Sequence, residues 1–433
     1  MSVLDYTRFP TTLGSRLRPV LDYARTDRGY PYPELIYFMK KLTLFISLAV
    51  FTACTDKHVP EAASVNIPAG FSAKTTSFAM DFWKTYEQEN GGSYFLSPLS
   101  LNIALGMLVN GTEGETREEI RQVLGFSNAD LADMNISYAE LIDKLPRVDP
   151  AVTNTTASSV WYEKDFTVEN AYLETLKKSF NAGVYAENFS DPATVDKINR
   201  WAAAQTNDKI RQVLEKIEPH QVLFLLNALY FKGDWTEKFD EKNTVKAPFY
   251  GATREVSQDF MSVQKDFAYT ENGSFRMVEL PYGNEKYAFI AMLPVKGTAD
   301  EMIRNLTREQ WDAARAGLVK QKVAVTLPRF KMELSKNLTG VLQAMGMKRA
   351  FTDRAELGGI SKSGRLFVDF VKQDTYLSVD EKGSEAAAVT SIGVGVTSAP
   401  MYTAFRCDRP FAFAIVEKTS DTIQFIGKVN DVE

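Results

Sequence analysis

The hydrophobic pattern changes character about halfway along the chain. From Ala73, Phe78, Phe82 and Tyr86 recur at every fourth residue, which predicts an amphipathic helix stopped by Asn90-Gly91-Gly92. A second helix is predicted from Ser97-Pro98, with Leu101, Leu105 and Leu108 on one face and Asn110-Gly111 as its stop. Residues 114–123 open on acids and threonine and predict a third, and Ser190-Asp191-Pro192 starts another that carries Val195, Ile198 and Asn199. From Gln221 the run QVLFLLNALYFKGDW is continuously apolar, as for a strand buried on both faces. Strands are then predicted at 275–280, 287–293, 322–327, 365–371, 375–379, 411–417 and 422–429, several of them separated by turn signals such as Tyr282-Gly283-Asn284. Helices first and mostly antiparallel strands later give an α+β fold with large mixed sheets.

Composition narrows this picture. With 433 residues, 45% hydrophobic and 24% charged, the chain can bury a substantial core, so disorder is excluded for most of it. No linker or charge block interrupts it between Ala69 and the C-terminus, which predicts one large domain over 69–433. The net charge of -5, with lysine and arginine scattered, leaves no basic stripe for nucleic acid. Only His58 and His220, and only Cys54 and Cys407, are present. That scarcity argues against a Ser-His-Asp or Cys-His machine and against a metal site, and no cofactor motif is found. Both histidines read as solvated residues at element boundaries, and Cys407 as a buried free thiol.

The N-terminal region reads as an address. From Met39 the sequence is MKKLTLFISLAVFTACTDKH, with Lys40 and Lys41 ahead of an apolar run that is too short to span a bilayer permanently. Phe51-Thr52-Ala53-Cys54 resembles the lipobox of bacterial lipoproteins, although Phe51 stands where leucine is usual. The expected organisation is therefore a spurious upstream extension at 1–38, a lipoprotein signal at 39–54 with Cys54 as the lipidated residue, and a tether at 55–68. It places the protein at a bacterial cell envelope, held to the membrane only by lipid, or secreted.

One pattern suggests catalysis. Ser262-Val263-Gln264-Lys265 is S-x-x-K, and Lys362-Ser363-Gly364 resembles the K-[TS]-G of penicillin-recognising enzymes, in the right order. No S-D-N lies between them, and SVQK does not open an apolar helix.

A longer series of segments carries more weight. FLSPLSLNIALGMLVNGTEGETREEI (95–120), INRWAAAQTNDKI (198–210), NALYFKGDW (227–235), ELPYG with AMLP (279–294), LPRFKME (327–333), VDEKGSEAAA (379–388) and DRPFAFAI with IQFIGKV (408–429) stand in one order. In that order they resemble the serpins, over about 360 residues from Phe71 onward. The resemblance implies a fold of three β-sheets with eight or nine helices and an exposed reactive-centre loop, acting as a monomer. It also implies a suicide-substrate inhibitor of serine proteases. The protease cleaves the loop and becomes acylated, and the loop then inserts as a new central strand of the largest sheet before the ester is hydrolysed. The chemistry belongs to the protease, so the chain itself needs no catalytic residue.

The same resemblance assigns the hinge to Glu381, Gly383, Ser384, Glu385, Ala386, Ala387 and Ala388, a stretch small and free of proline, as rapid insertion requires. With Ser384 facing in, the period of two turns in Ala386, Ala388, Thr390, Ile392 and Val394, while Glu381, Glu385, Val389 and Ser391 face out. Family spacing puts the reactive bond at Thr397-Ser398, with Val396-Thr397 and Ala399-Pro400 as alternatives. Small aliphatic residues there suit elastase-like or subtilisin-like proteases. The region where the sheet parts is assigned to Ser97, Ser100, Asn227, Trp235 and Gln373; the family commonly has histidine where Gln373 stands, and a glutamine can still join Ser97 and Asn227 in one network. A non-inhibitory serpin, acting as a protease substrate or a binding protein, is the alternative within the fold.

Overall fold

A computed structural model describes residues 63–126, 131–363, 366–384 and 402–432. His58, the expected signal with Cys54, the hinge residues Glu385, Ala386, Ala387 and Ala388, and the reactive-bond candidates Val396, Thr397, Ser398 and Ala399 lie outside the described residues. The nine α-helices among the described residues are α1 (Ala69–Glu89), α2 (Pro98–Val109), α3 (Gly114–Leu124), α4 (Leu131–Lys144), α5 (Asn170–Phe180), α6 (Pro192–Gln205), α7 (Ala299–Asn305), α8 (Arg308–Ala316) and α9 (Thr339–Met345). Their starts follow the local chemistry. Ser97 caps α2 by accepting from the Ser100 N–H, and Asp191 caps α6 by accepting from the Ala193 N–H, each with proline in the first turn. Thr298 with Glu301 and Thr307 with Gln310 form reciprocal capping boxes at α7 and α8.

The strands are β1 (Tyr94–Leu96), β2 (Val152–Glu163), β3 (Gly183–Glu187), β4 (Leu223–Asp234), β5 (Val245–Tyr250), β6 (Glu255–Glu271), β7 (Phe275–Tyr282), β8 (Tyr287–Pro294), β9 (Val319–Pro328), β10 (Phe330–Asn337), β11 (Lys372–Val379), β12 (Gly383–Ser384), β13 (Thr403–Arg406), β14 (Phe411–Glu417) and β15 (Thr422–Val429). The main sheet has six strands in the order β10-β11-β12-β4-β2-β3. The remaining strands form one continuous ladder system, because the 17-residue β6 pairs with β5 and β9 along most of its length and with β7 at its end. The second and third of the expected sheets are thus joined through that strand.

Helix α2 packs against both β4 and β15, and all of its residues except Ala104 are buried. A helix enclosed this way is apolar all round, so the single face of Leu101, Leu105 and Leu108 understates its burial. On the other face of the main sheet, α6 packs over β2 and β4, closing a smaller core of Trp161, Ile198, Leu214 and Phe224.

Three expectations need correction. Residues 366–371 are not a strand: Val368 donates to the Ala350 carbonyl and the Val371 carbonyl accepts from Leu338, so their backbone is spent on loops, and the ladder begins at Lys372. The run in β4 is not buried along its whole length, since Leu223, Leu225, Leu226 and Asn227 are half-buried at a cavity while Ala228–Phe231 are buried. The last residues of the expected tether are held against the domain. Val65 joins the main core, Ala63 donates to the Arg147 carbonyl, and Asn66 donates to Glu140.

Candidate functional site: the seam of the main sheet

Strands β4 and β11 flank the centre of the main sheet, yet no ladder joins them directly among the described residues. The chain leaves β11 at Val379 and turns back through Asp380–Gly383, where the Asp380 N–H donates to the Gly383 carbonyl at 3.0 Å. Gly383 and Ser384 then enter between the two strands as β12. Ser384 stands opposite Val379 on one side and Gly233 on the other, and Gly383 stands opposite Asp234. Glycine is required at 383, because a Cβ there would lie 2.1 Å from the Gly233 carbonyl oxygen.

Ser384 is 1% exposed, and its hydroxyl pairs with that of Tyr282 at 2.6 Å. The Tyr282 ring stacks on Trp235 at 4.4 Å, and burial raises its phenol far above the ordinary tyrosine range, so it stays a neutral hydroxyl. Trp235 also holds the turn. Its indole N–H donates to the Asp380 carbonyl at 2.8 Å and its backbone N–H to the Lys382 carbonyl at 2.8 Å.

Glu381, expected to face out, is 3% exposed. The alternation of a strand begins only at Gly383, and Glu381 belongs to the turn before it. Its carboxylate accepts from the Arg329 guanidinium at 2.6 Å and the Thr244 hydroxyl at 2.5 Å. Burial alone would raise its pKa, but those two bonds hold it below the ordinary glutamate value.

Farther down the seam the structure brings together Ser97, Ser100, Asn227 and Gln373. The Gln373 amide clamps the backbone of Ser97 from both sides: Oε1 accepts the Ser97 N–H at 2.8 Å and Nε2 donates to the Ser97 carbonyl at 2.9 Å. The Ser97 hydroxyl donates to the Gln424 carbonyl at 2.8 Å, and that of Ser100 to the Asn227 carbonyl at 3.3 Å. Asn227 Nδ2 donates to Ser158 Oγ at 3.1 Å, while its buried Oδ1 has no hydrogen-bond partner. Trp235 belongs to the upper end of the seam and takes no part in this network. Sequence reasoning missed Tyr282, Arg329 and Thr244; the first two lie within the ELPYG and LPRFKME segments, but nothing in either points to the hinge.

The S-x-x-K pattern falls apart in three dimensions. Ser262 and Lys265 lie on β6, where residues three apart face opposite sides. The Ser262 hydroxyl pairs with Thr326 at 3.2 Å, Lys265 with Glu237 at 3.0 Å, and Lys362 with Glu113 at 2.9 Å, so three different neighbourhoods hold them. Among the described residues no group of His, Cys, Asp and Glu could hold a metal ion, and no helix is long and apolar enough to cross a membrane.

Comparison with known proteins agrees with this architecture. The family model described as Serpin (serine protease inhibitor) matches residues 73–432. The chain is 32% identical to Iripin-2 of Ixodes ricinus, over 90% of this chain and 98% of that protein. It is 31% identical to Intracellular coagulation inhibitor 2 of Tachypleus tridentatus, over 88% and 96% respectively. Among solved structures it is similar to the thermophilic serpin tengpin in the native state, with a TM-score of 0.79, 28% identity, and coverage of 86% of this chain and 96% of that one.

Proposed function

The chain belongs to the serpin family, and from that premise we propose that it is a suicide-substrate inhibitor of serine proteases with shallow specificity pockets, elastase-like or subtilisin-like. The observation that carries the reading is β12. Two hinge residues already occupy the top of a slot between β4 and β11, and a strand continued in that register would present the three alanines of Glu385-Ala386-Ala387-Ala388 as small residues and turn Glu385 outward. After cleavage at Thr397-Ser398 the freed strand extends β12 down the slot, and a dozen residues at ~3.3 Å each would carry an acylated protease roughly 40 Å. The name of the Tachypleus relative, a coagulation inhibitor, is consistent with this activity.

Mixing the protein with pancreatic or neutrophil elastase and running a denaturing gel tests the reading. A stable covalent band of summed mass is expected. Complete cleavage without that band would overturn inhibition and favour a non-inhibitory serpin that is merely cut.

We further propose that Cys54 carries lipid and holds the protein at a bacterial envelope. The motif from Lys40 to Cys54 supports this, and the short stretch between Cys54 and Val65, where the chain is already packed on the domain, would keep the body near the surface. Incorporation of a radioactive fatty acid that vanishes in Cys54→Ser is expected; a variant that still took up label would refute it.

A further inference from the structure

We propose that His220 and Gln221 on one side and Phe367 and Asp369 on the other form a clasp across the lower end of the seam, which an inserting strand must part. Its consequence for inhibition rests on the reading above, but the clasp itself is a property of the intact fold. Gln221 Nε2 donates to Asp369 Oδ2 at 2.5 Å, and His220 Nε2 lies 3.4 Å from Asp369 Oδ1. The imidazole also stacks on Phe367, with centroids 6.3 Å apart and planes 11° apart. Two adjacent residues leading into β4 therefore grip two alternate residues leading into β11.

The clasp closes over a hollow. Behind it lies a cavity of about 220 Å³ whose apolar walls include Leu101, Leu105, Leu214, Leu225, Val368 and Phe370. Between the clasp and the Gln373 network, no backbone ladder joins the two sides among the described residues. The register of β12 says what the clasp obstructs. Ser384 stands opposite Gly233 and Val379, and each further residue of an inserted antiparallel strand steps back by one along β4 and β11. Thr390 would then stand opposite Asn227 and Gln373, and Val394 opposite Leu223 and Asp369. A strand that fills the slot must part the clasp at its last step.

The side chains that meet are partly exposed, 55% for His220 and 38% for Asp369, so the clasp is screened by solvent and worth about two- to five-fold in the opening equilibrium.

Hydrogen exchange on the intact protein reads the clasp without any protease. Protection factors over residues 222–228 and 370–374, corrected for intrinsic exchange, are expected to fall about two- to five-fold in Asp369→Ala and to fall in the same segments in Gln221→Ala. An Asp369→Ala protein with unchanged protection there would overturn the clasp. Failure of the inhibitor reading would show separately, as loss of the covalent band with elastase while these protection factors behaved as stated.

Discussion

Replacing Ser384 by arginine puts a long cation where the structure has room for a hydroxyl. The Ser384 side chain is enclosed between Gly233, Val379 and the Tyr282 ring, which is itself pinned by Trp235. Burying an unpaired guanidinium costs several kcal/mol even after relaxation, and the lost hydroxyl pair adds about 1 kcal/mol. The intact variant can avoid this by keeping its hinge out of the sheet, but insertion cannot. If about 3 kcal/mol of the cost falls on the insertion barrier, insertion slows by about a hundredfold. Hydrolysis of the acyl-enzyme is untouched, because its chemistry is the protease's. An inhibitor that wins the race tenfold would then lose it about tenfold, and most molecules would be consumed as substrate. Titrating a fixed amount of elastase gives the number of inhibitor molecules used per enzyme, and a denaturing gel gives the covalent fraction. The expected result is a ratio that rises from near one to about ten with loss of the covalent band. A Ser384→Arg protein with an unchanged ratio and a full band would refute the argument that this side chain must be buried for trapping.

Three other consequences are open to measurement. Gln373→Ala leaves the N–H of Ser97 unpaired in a buried site, at about 1–3 kcal/mol, while the Ser97 carbonyl keeps its bond from the Leu101 N–H; calorimetry should show a lower thermal midpoint, and an unchanged one would mean the amide contributes nothing. The folded-state pKa of Glu381 is depressed, so its contribution is full above the ordinary value of 4.5 and is lost as pH falls through the lower folded value; Glu381→Gln should lose stability at neutral pH and flatten the acid limb of the stability curve, and coincident acid limbs in the two proteins would contradict this. Burial pushes the Cys407 thiol well above the ordinary cysteine range; iodoacetamide at pH 8 should leave the Cys407 peptide unmodified in the native protein and label it fully in denaturant, as read by mass spectrometry.

The parts of the fold legible in the sequence are those whose pattern is local. Strands β7, β8, β14 and β15 fall close to where alternation and turn residues predict them, and α1 and α6 begin near their expected signals. Strand β2, VTNTTASSVWYE, carries too many hydroxyl and amide side chains to read as a strand paired on both edges, yet it lies between β4 and β3, with Asn154 and Ser158 bonded to a polar layer of Asn227, Tyr287 and Gln424. Lys428 shows the same limit more sharply. A lysine in a strand reads as solvent-facing, yet this one is fully buried, with Glu87 of α1 and Asp300 of α7 each 2.6 Å away. No local pattern encodes a partner some 340 residues distant in the chain. At the seam, the resemblance led to Ser97, Asn227 and Gln373; Gln373 bonds Ser97 alone, and Asn227 is reached only at its carbonyl by the Ser100 hydroxyl, while the burial of Glu381 depends on a turn whose geometry is invisible in the one-dimensional string.

The position of Gly383 and Ser384 bears on accuracy as well as speed. A strand offered to an empty slot could slip by one residue, which would turn every side chain over and drive Glu385 and Val389 into the layer meant for alanine. Here the first two rungs are set in the uncut molecule, with glycine packed against one wall and a hydroxyl bond holding the other. In the proposed mechanism alignment would therefore be decided before any bond is broken, and cleavage would have only to lengthen a strand whose frame is already set.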